Sequence, residues 1–342
     1  MRVVANPHQA EHCPEFEYFR GRKVPCFEMP SRAEFVQEAL AGAGYCIEAP
    51  ESFADEVLYA VHSRRYVDFL RGAWAEWQGS GNEGDAFASV WPIRGMRVDH
   101  TPQNFAARLG MFSFDTGTPL CAGTWQAARA GADCAATAAS WLSAGESSAF
   151  VLTRPPGHHA GPEFFGGYCF LNNAAIAAQA LRERGAARVA VLDVDFHHGN
   201  GTQEIFYQRG DVLYASIHGD PSTEYPFFLG HADETGAGAG FGCNLNLPLP
   251  ASSSTANWFA ALEVALRRIV DFGAEALVVS LGLDAAEVDP ISKFKLQTAD
   301  FTQLGRRLRA VGLPTLFVLE GGYAVAAIGE NARASVEGFE AG

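Results

Sequence analysis

The chain alternates short, almost uninterrupted apolar runs with longer segments in which Ala and Leu recur at helical spacing. The runs are too short for helices, and their continuous apolar character suits parallel strands that are covered on both faces. Because strands and helices alternate, we predict an α/β fold with a central, mostly parallel sheet and helices on both faces. The predicted strands are Val3–Val4, Phe150–Thr153, Val189–Asp195, Val212–Ile217, Leu277–Leu281 and Leu316–Leu319, and the predicted helices are Ser31–Ala41, Asp55–Trp77, Thr124–Ser143, Ala174–Arg184, Ala256–Phe272 and Ala299–Val311.

No linker and no internal repeat divides the 342 residues, so we predict a single domain over residues 1–342, although the length alone would allow two.

One region departs from the alternation of strands and helices. Residues 79–123 are rich in Gly, Pro and aromatic residues and have no clear period. Irregular segments of this length are usually functional or lie at an interface, so we interpret residues 79–123 as an insertion with a role of its own.

Composition narrows the choice of partners. The 39 acidic residues exceed the 25 Lys and Arg residues, and the formal net charge is −14. This balance argues against nucleic acid and anionic membranes as partners, and it suits a small cationic substrate. The chain has no apolar stretch long enough to cross a membrane and no apolar signal-peptide core at its start. The seven cysteines form no C-x-x-C pair, which argues against a disulfide framework, and we predict a cytoplasmic location.

The densest cluster of ionisable residues follows the third predicted strand. If the chain stays extended there, its two-residue period places Asp193, Asp195 and His197 on one side. Carboxylates at the end of a buried strand need charge compensation. Carboxylate and imidazole groups together are typical ligands of a divalent metal, so the sequence predicts a metal site without thiolate ligands.

Three other predicted strands also end in ionisable side chains. One leads to the adjacent His158 and His159, one to Asp284 and one to Tyr323. The carboxyl ends of parallel strands meet at one edge of a sheet, where open α/β sheets bind ligands. We therefore expect these side chains to converge on the predicted metal site.

Six short motifs carry most of these residues: RPPGHHA (154–160), GGYCFLNN (166–173), LDVDFHHGNGTQEIF (192–206), SIHGDP (216–221), SLGLD (280–284) and LEGGY (319–323). Together they resemble the zinc-dependent histone deacetylase family. Their order, the chain length and the insertion resemble the bacterial acetylpolyamine amidohydrolase branch of that family. The resemblance implies an arginase-like and deacetylase-like single α/β domain.

The resemblance also implies a catalytic metal and the residues that bind it. Asp195, His197 and Asp284 would be the three protein ligands of one Zn²⁺ per subunit. Three protein ligands leave room for water and a substrate carbonyl, as hydrolysis requires.

Five further residues match catalytic positions of the family. By resemblance, His159 is the general base and is paired with Asn200. His158 stays largely protonated beside Asp193 and acts electrostatically. Tyr323 donates its hydroxyl to the developing oxyanion.

The resemblance places the substrate in a narrow channel. Gly167, Tyr168 and Tyr225 match its walls, since glycine lets the backbone approach the substrate and aromatic rings can hold a methylene chain. Acidic residues near the mouth would attract a distal ammonium group. Glu17 is the leading candidate for this contact and Asp115 the weaker one.

Two further expectations come from the family. A structural K⁺ would lie beneath the zinc site, near Asp193, Ser216 and Ile217. The insertion at about 79–123 would build a homodimer interface and narrow the mouth of the site, which excludes bulky protein substrates.

The predicted function is therefore zinc-dependent removal of acetyl groups from acetylated polyamines or other small cationic amines. The motifs leave open a deacetylase of protein acetyl-lysine or of another small acyl amide, because all of these share the acyl half of the site. A two-manganese ureohydrolase is not supported, because such enzymes use Asp-x-His-x-Asp where this chain has the order Asp193, Asp195, His197. A binding protein without activity is disfavoured by the complete catalytic set.

Overall fold

The computed structural model describes residues 1–342, and a parallel sheet of eight strands forms its centre. The strands are β1 (Arg2–Ala5), β2 (Glu17–Phe19), β3 (Arg22–Val24), β4 (Ile47–Glu48), β5 (Ser148–Leu152), β6 (Val189–Asp193), β7 (Val212–Gly219), β8 (Asn244–Leu249), β9 (Ala276–Leu281) and β10 (Thr315–Leu319). The order across the sheet is β4-β1-β5-β10-β9-β6-β7-β8, and every neighbouring pair is parallel. The strands β2 and β3 form a separate antiparallel hairpin.

Helices cover both faces of the sheet. They are α1 (Ser31–Gly42), α2 (Glu56–Tyr59), α3 (Arg64–Gly79), α4 (Phe105–Met111), α5 (Thr124–Ser143), α6 (Asn173–Glu183), α7 (Asn200–Phe206), α8 (Thr255–Phe272), α9 (Thr298–Ala310) and α10 (Val325–Glu340). None of these helices combines the length and the apolar character that a membrane-spanning helix requires.

Two apolar cores lie on opposite faces of the sheet, because successive strand residues point in opposite directions. Val191 and Val278 pack with α3, α5 and α6 on one face. Leu192 and Val279 pack with α1, α8, α9 and α10 on the other. One sheet with a core on each face confirms the predicted single α/β domain.

All six predicted strands are present, but one predicted helix is wrong as a single element. The segment Asp55–Trp77 contains two helices, because α2 ends at Tyr59 and α3 begins at Arg64. The Ser63 side chain caps α3 by accepting a hydrogen bond from a backbone N–H of its first turn. The backbone of Ser63 is extended (φ −67°, ψ 146°), so the helix that the periodicity alone would have continued is interrupted there.

The edge strand β8 was not predicted, and its composition explains why. Asn244 and Asn246 occupy its inward-facing positions, so the continuous apolar signal of the central strands is missing. Their side-chain amides donate hydrogen bonds to Gln203 Oε1, at 2.9 and 2.8 Å.

The insertion packs on the domain mainly as irregular chain. Within residues 80–123 the regular structure is limited to α4 and two isolated bridges, one between Ala86 and Leu120 and one between Ser113 and Phe165. Phe105 and Leu109 of α4 are buried in the core on one face of the sheet. The end of the insertion then runs alongside the cavity described below.

A buried carboxylate joins the β2–β3 hairpin to the domain. Glu17 is 1% exposed; its Oε1 accepts the hydroxyl of Tyr168 at 2.8 Å, and its Oε2 accepts the backbone N–H of Phe27 at 3.0 Å. Burial raises the pKa of Glu17 to about 7, and the two hydrogen bonds oppose this only in part.

This raised pKa predicts a pH-dependent effect of the substitution Glu17→Gln. The folded protein holds the Glu17 proton more tightly than the unfolded chain does, so Glu17 destabilises the fold progressively as the pH rises from its usual pKa of 4.5 to about 7. The variant has no such ionisation. Its free energy of unfolding, relative to the unaltered protein, should therefore increase over this pH range and level off above it. Urea denaturation across the range measures the difference, and a difference that does not change with pH would contradict the prediction.

Candidate active site

Four neighbouring strands deliver the predicted residues to one edge of the sheet. His159 follows β5, His197 follows β6, Asp284 follows β9 and Tyr323 follows β10. The convergence expected from the sequence is therefore present. His159, His197 and Tyr323 line one cavity of about 430 Å³.

Three side chains form a cluster that could hold a metal ion. Asp195, His197 and Asp284 offer ligand atoms that all lie within 4.8 Å of one another. His197 Nδ1 is 2.9 Å from Asp284 Oδ2 and 3.3 Å from Asp195 Oδ1. The second oxygen of each carboxylate is held by the backbone, because Phe196 N–H donates to Asp284 Oδ1 at 2.8 Å and Gly321 N–H donates to Asp195 Oδ2 at 2.9 Å. One oxygen of each carboxylate thus faces the cluster.

Local packing and charge both fit a bound cation at this cluster. A Cβ on Gly282 would lie 2.3 Å from Asp195 Oδ2, and a Cβ on Gly321 would lie 3.0 Å from Asp284 Oδ2, so glycine is needed beside both carboxylates. Burial and the neighbouring Asp195 carboxylate raise the pKa of Asp284 to about 8. A divalent cation would offset this repulsion. Two carboxylates with one imidazole form a donor set that suits Zn²⁺ and related divalent ions.

The two adjacent histidines have different partners, in the pairing expected from the sequence. His158 Nδ1 lies 3.1 Å from Asp193 Oδ2, and His159 Nδ1 lies 2.7 Å from Asn200 Oδ1. Burial alone would lower the pKa of His158, but the carboxylates of Asp195 and Asp193 outweigh it and raise the pKa to about 10. Burial and the positive charge of His158 lower the pKa of His159 well below its usual value. His158 therefore carries the proton, and His159 is neutral.

Glu320 holds the turn that carries the histidines, a role that the sequence did not predict. Its Oε2 accepts the backbone N–H groups of Gly157 and His158 at 2.7 and 3.1 Å, and its Oε1 accepts the hydroxyl of Ser280 at 3.1 Å. Burial raises the pKa of Glu320 to about 7. Its position directly after β10 was the available signal, since a carboxylate at the end of a buried strand needs partners.

Two residues from distant parts of the chain fix Tyr323. Its backbone N–H donates to Asp289 Oδ2 at 2.7 Å. The fully buried Arg32 donates from Nε to Gly322 O at 2.6 Å, and its guanidinium lies 4.8 Å from the centroid of the Tyr323 ring. Burial raises the pKa of Tyr323 well above its usual value, although Arg32 opposes this, so the hydroxyl remains a donor. No spacing pattern links Arg32 or Asp289 to Tyr323 in the sequence.

The predicted channel residues form walls of the cavity. Gly167, Tyr168 and Tyr225 all line it. Gly167 has φ +54°, and a Cβ there would lie 2.2 Å from His159 Cδ2. Asp115, at the end of the insertion, connects the walls because its Oδ2 accepts Gly167 N–H at 2.8 Å and the Tyr225 hydroxyl at 2.7 Å.

The two acidic candidates for ammonium binding occupy different places. Glu17 lies behind Tyr168, whose hydroxyl it accepts, and is not part of the cavity lining. Asp115 lines the cavity, and its Oδ1 is buried without a hydrogen-bond partner. Asp115, the weaker candidate, therefore lines the channel, whereas Glu17, the leading candidate, supports the channel wall from behind Tyr168.

The residues expected near a second cation lie beneath the cluster. Asp193 on β6 is the register partner of Ser216 on β7, and Ile217 follows on the same strand. All three are buried. Ser216 Oγ lies 2.8 Å from Nδ1 of His218.

Known proteins match this chain over a region that contains all six motifs. The histone deacetylase domain matches residues 26–339. Acetylpolyamine amidohydrolase 1 of Pseudomonas aeruginosa is 51% identical over 342 residues, which cover 99% of each chain. Acetylpolyamine amidohydrolase of Mycoplana ramosa is 45% identical over 339 residues, again 99% of each chain.

A solved structure agrees in fold over the whole chain. The crystal structure of acetylpolyamine aminohydrolase from Burkholderia pseudomallei is 41% identical, with a TM-score of 0.95, and the match covers 100% of this chain and 99% of the other. The family resemblance seen in the sequence is thereby confirmed. The chain belongs to the histone deacetylase family, whose members are metal-dependent amidohydrolases, and bacterial acetylpolyamine amidohydrolases are among its full-length relatives.

Proposed function

We propose that this protein is a zinc-dependent amidohydrolase that removes the acetyl group from acetylated polyamines or other small cationic amines. The observation that carries the proposal is one cavity in which His159, His197 and Tyr323 meet an aromatic channel. Its relatives named for acetylpolyamine hydrolysis match over nearly the full chain. Hydrolysis of acetyl-lysine in proteins is the alternative, because it would use the same acyl half of the site.

Asp195, His197 and Asp284 would hold the Zn²⁺. When bound, the metal supplies a Lewis acid that polarises the acetyl carbonyl and lowers the pKa of water. The chain itself supplies proton transfer, orientation and oxyanion stabilisation. Each of these tasks falls to a different side chain.

His159 is positioned to act as the general base. Its Nδ1–H donates to Asn200 Oδ1, which leaves Nε2 free to accept a proton, and the ring lines the cavity. As the water oxygen bonds to the carbonyl carbon, His159 takes the water proton. When the C–N bond breaks, His159 returns a proton to the amine, and the products are acetate and the free amine. His158 stays charged beside Asp193 and stabilises the negative charge that develops nearby.

Tyr323 and the channel walls orient the amide. The buried, protonated hydroxyl of Tyr323 would donate a hydrogen bond to the carbonyl oxygen as negative charge develops on it. Tyr168 and Tyr225 would hold the methylene chain of the substrate. Asp115 lines the cavity, and its negative charge would attract the first ammonium group beyond the amide.

We also propose a structural K⁺ near Asp193, Ser216 and Ile217. Asp193 and Ser216 offer side-chain oxygens on neighbouring strands, and Asp193 supports His158 directly. A monovalent cation here would compensate a buried carboxylate beneath the catalytic cluster.

The insertion is proposed to form a homodimer interface. Four of its apolar side chains lie exposed over a short stretch, with exposed fractions of 51–67%: Val90, Ile93, Met96 and Val98. Apolar side chains gathered in this way are typical of an association surface. A second copy of the chain would cover them and narrow the approach to the cavity.

A substrate comparison tests the proposed activity. The protein should hydrolyse acetylputrescine and acetylspermidine with a higher kcat/KM than an acetyl-lysine peptide, because the channel offers Asp115 for an ammonium group. Released acetate gives the rate for each compound. A preference for the peptide would favour the alternative function.

The substitution Tyr323→Phe tests the oxyanion role. Loss of one preorganised donor should lower kcat by roughly 10²–10³, while metal analysis still finds one zinc per chain. The matched control is Tyr45→Phe, because the Tyr45 hydroxyl bonds to Glu340, which does not line the cavity. Unchanged turnover in Tyr323→Phe would remove Tyr323 from this role.

Light scattering tests the proposed dimer. The unaltered protein should have twice the mass of one chain, and the double substitution Ile93→Glu with Met96→Glu should give monomers, because buried charges disfavour association. Val270→Glu, at a position on α8 that is 59% exposed, is the matched control and should remain dimeric. A monomeric unaltered protein would contradict the proposal.

A further inference from the structure

The β2–β3 hairpin forms part of the cavity mouth. Its turn residues Arg20 and Gly21 line the cavity together with Tyr18 and Phe19. The Arg20 guanidinium lies 5.2 Å from the centroid of the Phe19 ring. An exposed arginine therefore lies at the edge of the cavity.

The hairpin turn fixes the backbone at this arginine. Arg20 has φ +49°, in the left-handed region that glycine adopts most easily. Arg20 and Gly21 are the two residues that join β2 to β3, and both have positive φ (+49° and +76°), as a tight two-residue hairpin turn requires. The Arg20 side chain is exposed and belongs to neither core, and what surrounds it is solvent and the cavity that it lines.

The charges around the mouth leave Arg20 uncompensated. Glu224 lines the cavity but is paired with Lys293. Asp115 lies at the channel wall, where its Oδ2 is occupied by Gly167 and Tyr225. No carboxylate lies within 4.0 Å of the Arg20 guanidinium. The cavity therefore offers a carboxylate at the channel and an unpaired cation at the rim.

We propose that Arg20 is a specificity-determining residue that selects substrates with one distal ammonium group over those with several. With the acetyl group at Tyr323 and the methylene chain between the channel walls, the first ammonium lies near Asp115. A second or third ammonium extends to the hairpin and meets the guanidinium of Arg20. Like charges repel there, so acetylated diamines are better substrates than acetylated tri- and tetraamines. This inference rests on the proposed deacetylation of small amines.

Charge reversal at this position tests the inference. The kcat/KM of Arg20→Glu is compared with that of the unaltered enzyme for acetylputrescine, acetylspermidine and acetylspermine. The ratio of acetylspermine to acetylputrescine should rise by roughly three- to tenfold, mainly through KM, since the interaction is between solvent-exposed charges. The rise should shrink at high salt, where such charges are screened.

Two further variants separate the local effect from other causes. Arg22→Glu makes the same charge change on the same hairpin, but Arg22 does not line the cavity, so it should shift the ratio much less. Arg20→Gly removes the charge and suits the positive φ, so it should fold normally and give a smaller shift in the same direction.

The outcomes distinguish the inference from the function on which it rests. An unchanged ratio in Arg20→Glu and Arg20→Gly, or equal shifts in Arg20→Glu and Arg22→Glu, would overturn the role of Arg20 while leaving the deacetylase function intact. If the unaltered enzyme hydrolyses none of the three acetylated amines, the proposed function itself fails, and the inference with it.

Discussion

The structure depends on the compensation of buried negative charge at one edge of the sheet. Asp193, Asp195, Asp284 and Glu320 are all fully buried there. Isolated carboxylates in such a place would be strongly unfavourable. Backbone N–H donors and the imidazoles of the site offset the free-energy cost of burying these carboxylates, and a bound divalent cation would offset it further. Much of the surrounding architecture supplies these partners.

The compensation also organises the chemistry. His158 is protonated because two carboxylates lie beside it. Its positive charge keeps the adjacent His159 neutral, since a second charge on the neighbouring ring is unfavourable. Asn200, a neutral partner, orients His159 without drawing a proton onto it. Two identical side chains thus differ in charge because their surroundings differ. The backbone donors to Glu320 hold the turn that carries both histidines, of which His159 lines the cavity.

Residues far from the motifs hold the site in shape. Arg32 in α1 binds the carbonyls of Gly322 and Glu320, and Asp289 accepts the backbone of Tyr323. Asp115 joins the two channel walls and itself lines the cavity. The insertion and the N-terminal helix are therefore part of the active-site framework. The hairpin adds the rim, where the charge of Arg20 contrasts with that of the channel.

The sequence alone determined the α/β class, six central strands and the convergence of His158, His159, Asp195, His197, Asp284 and Tyr323. These follow from local signals: continuous apolar runs mark buried parallel strands, and polar residues directly after them must meet at one sheet edge. Tertiary structure decided which acidic residue lines the channel, because both Glu17 and Asp115 carry a carboxyl group and only packing buries Glu17 behind Tyr168. It also decided the partners of Tyr323 and the placement of Arg20 at the rim. Such contacts join residues distant in sequence, and no periodicity or spacing encodes them, since they arise only when separate elements pack together.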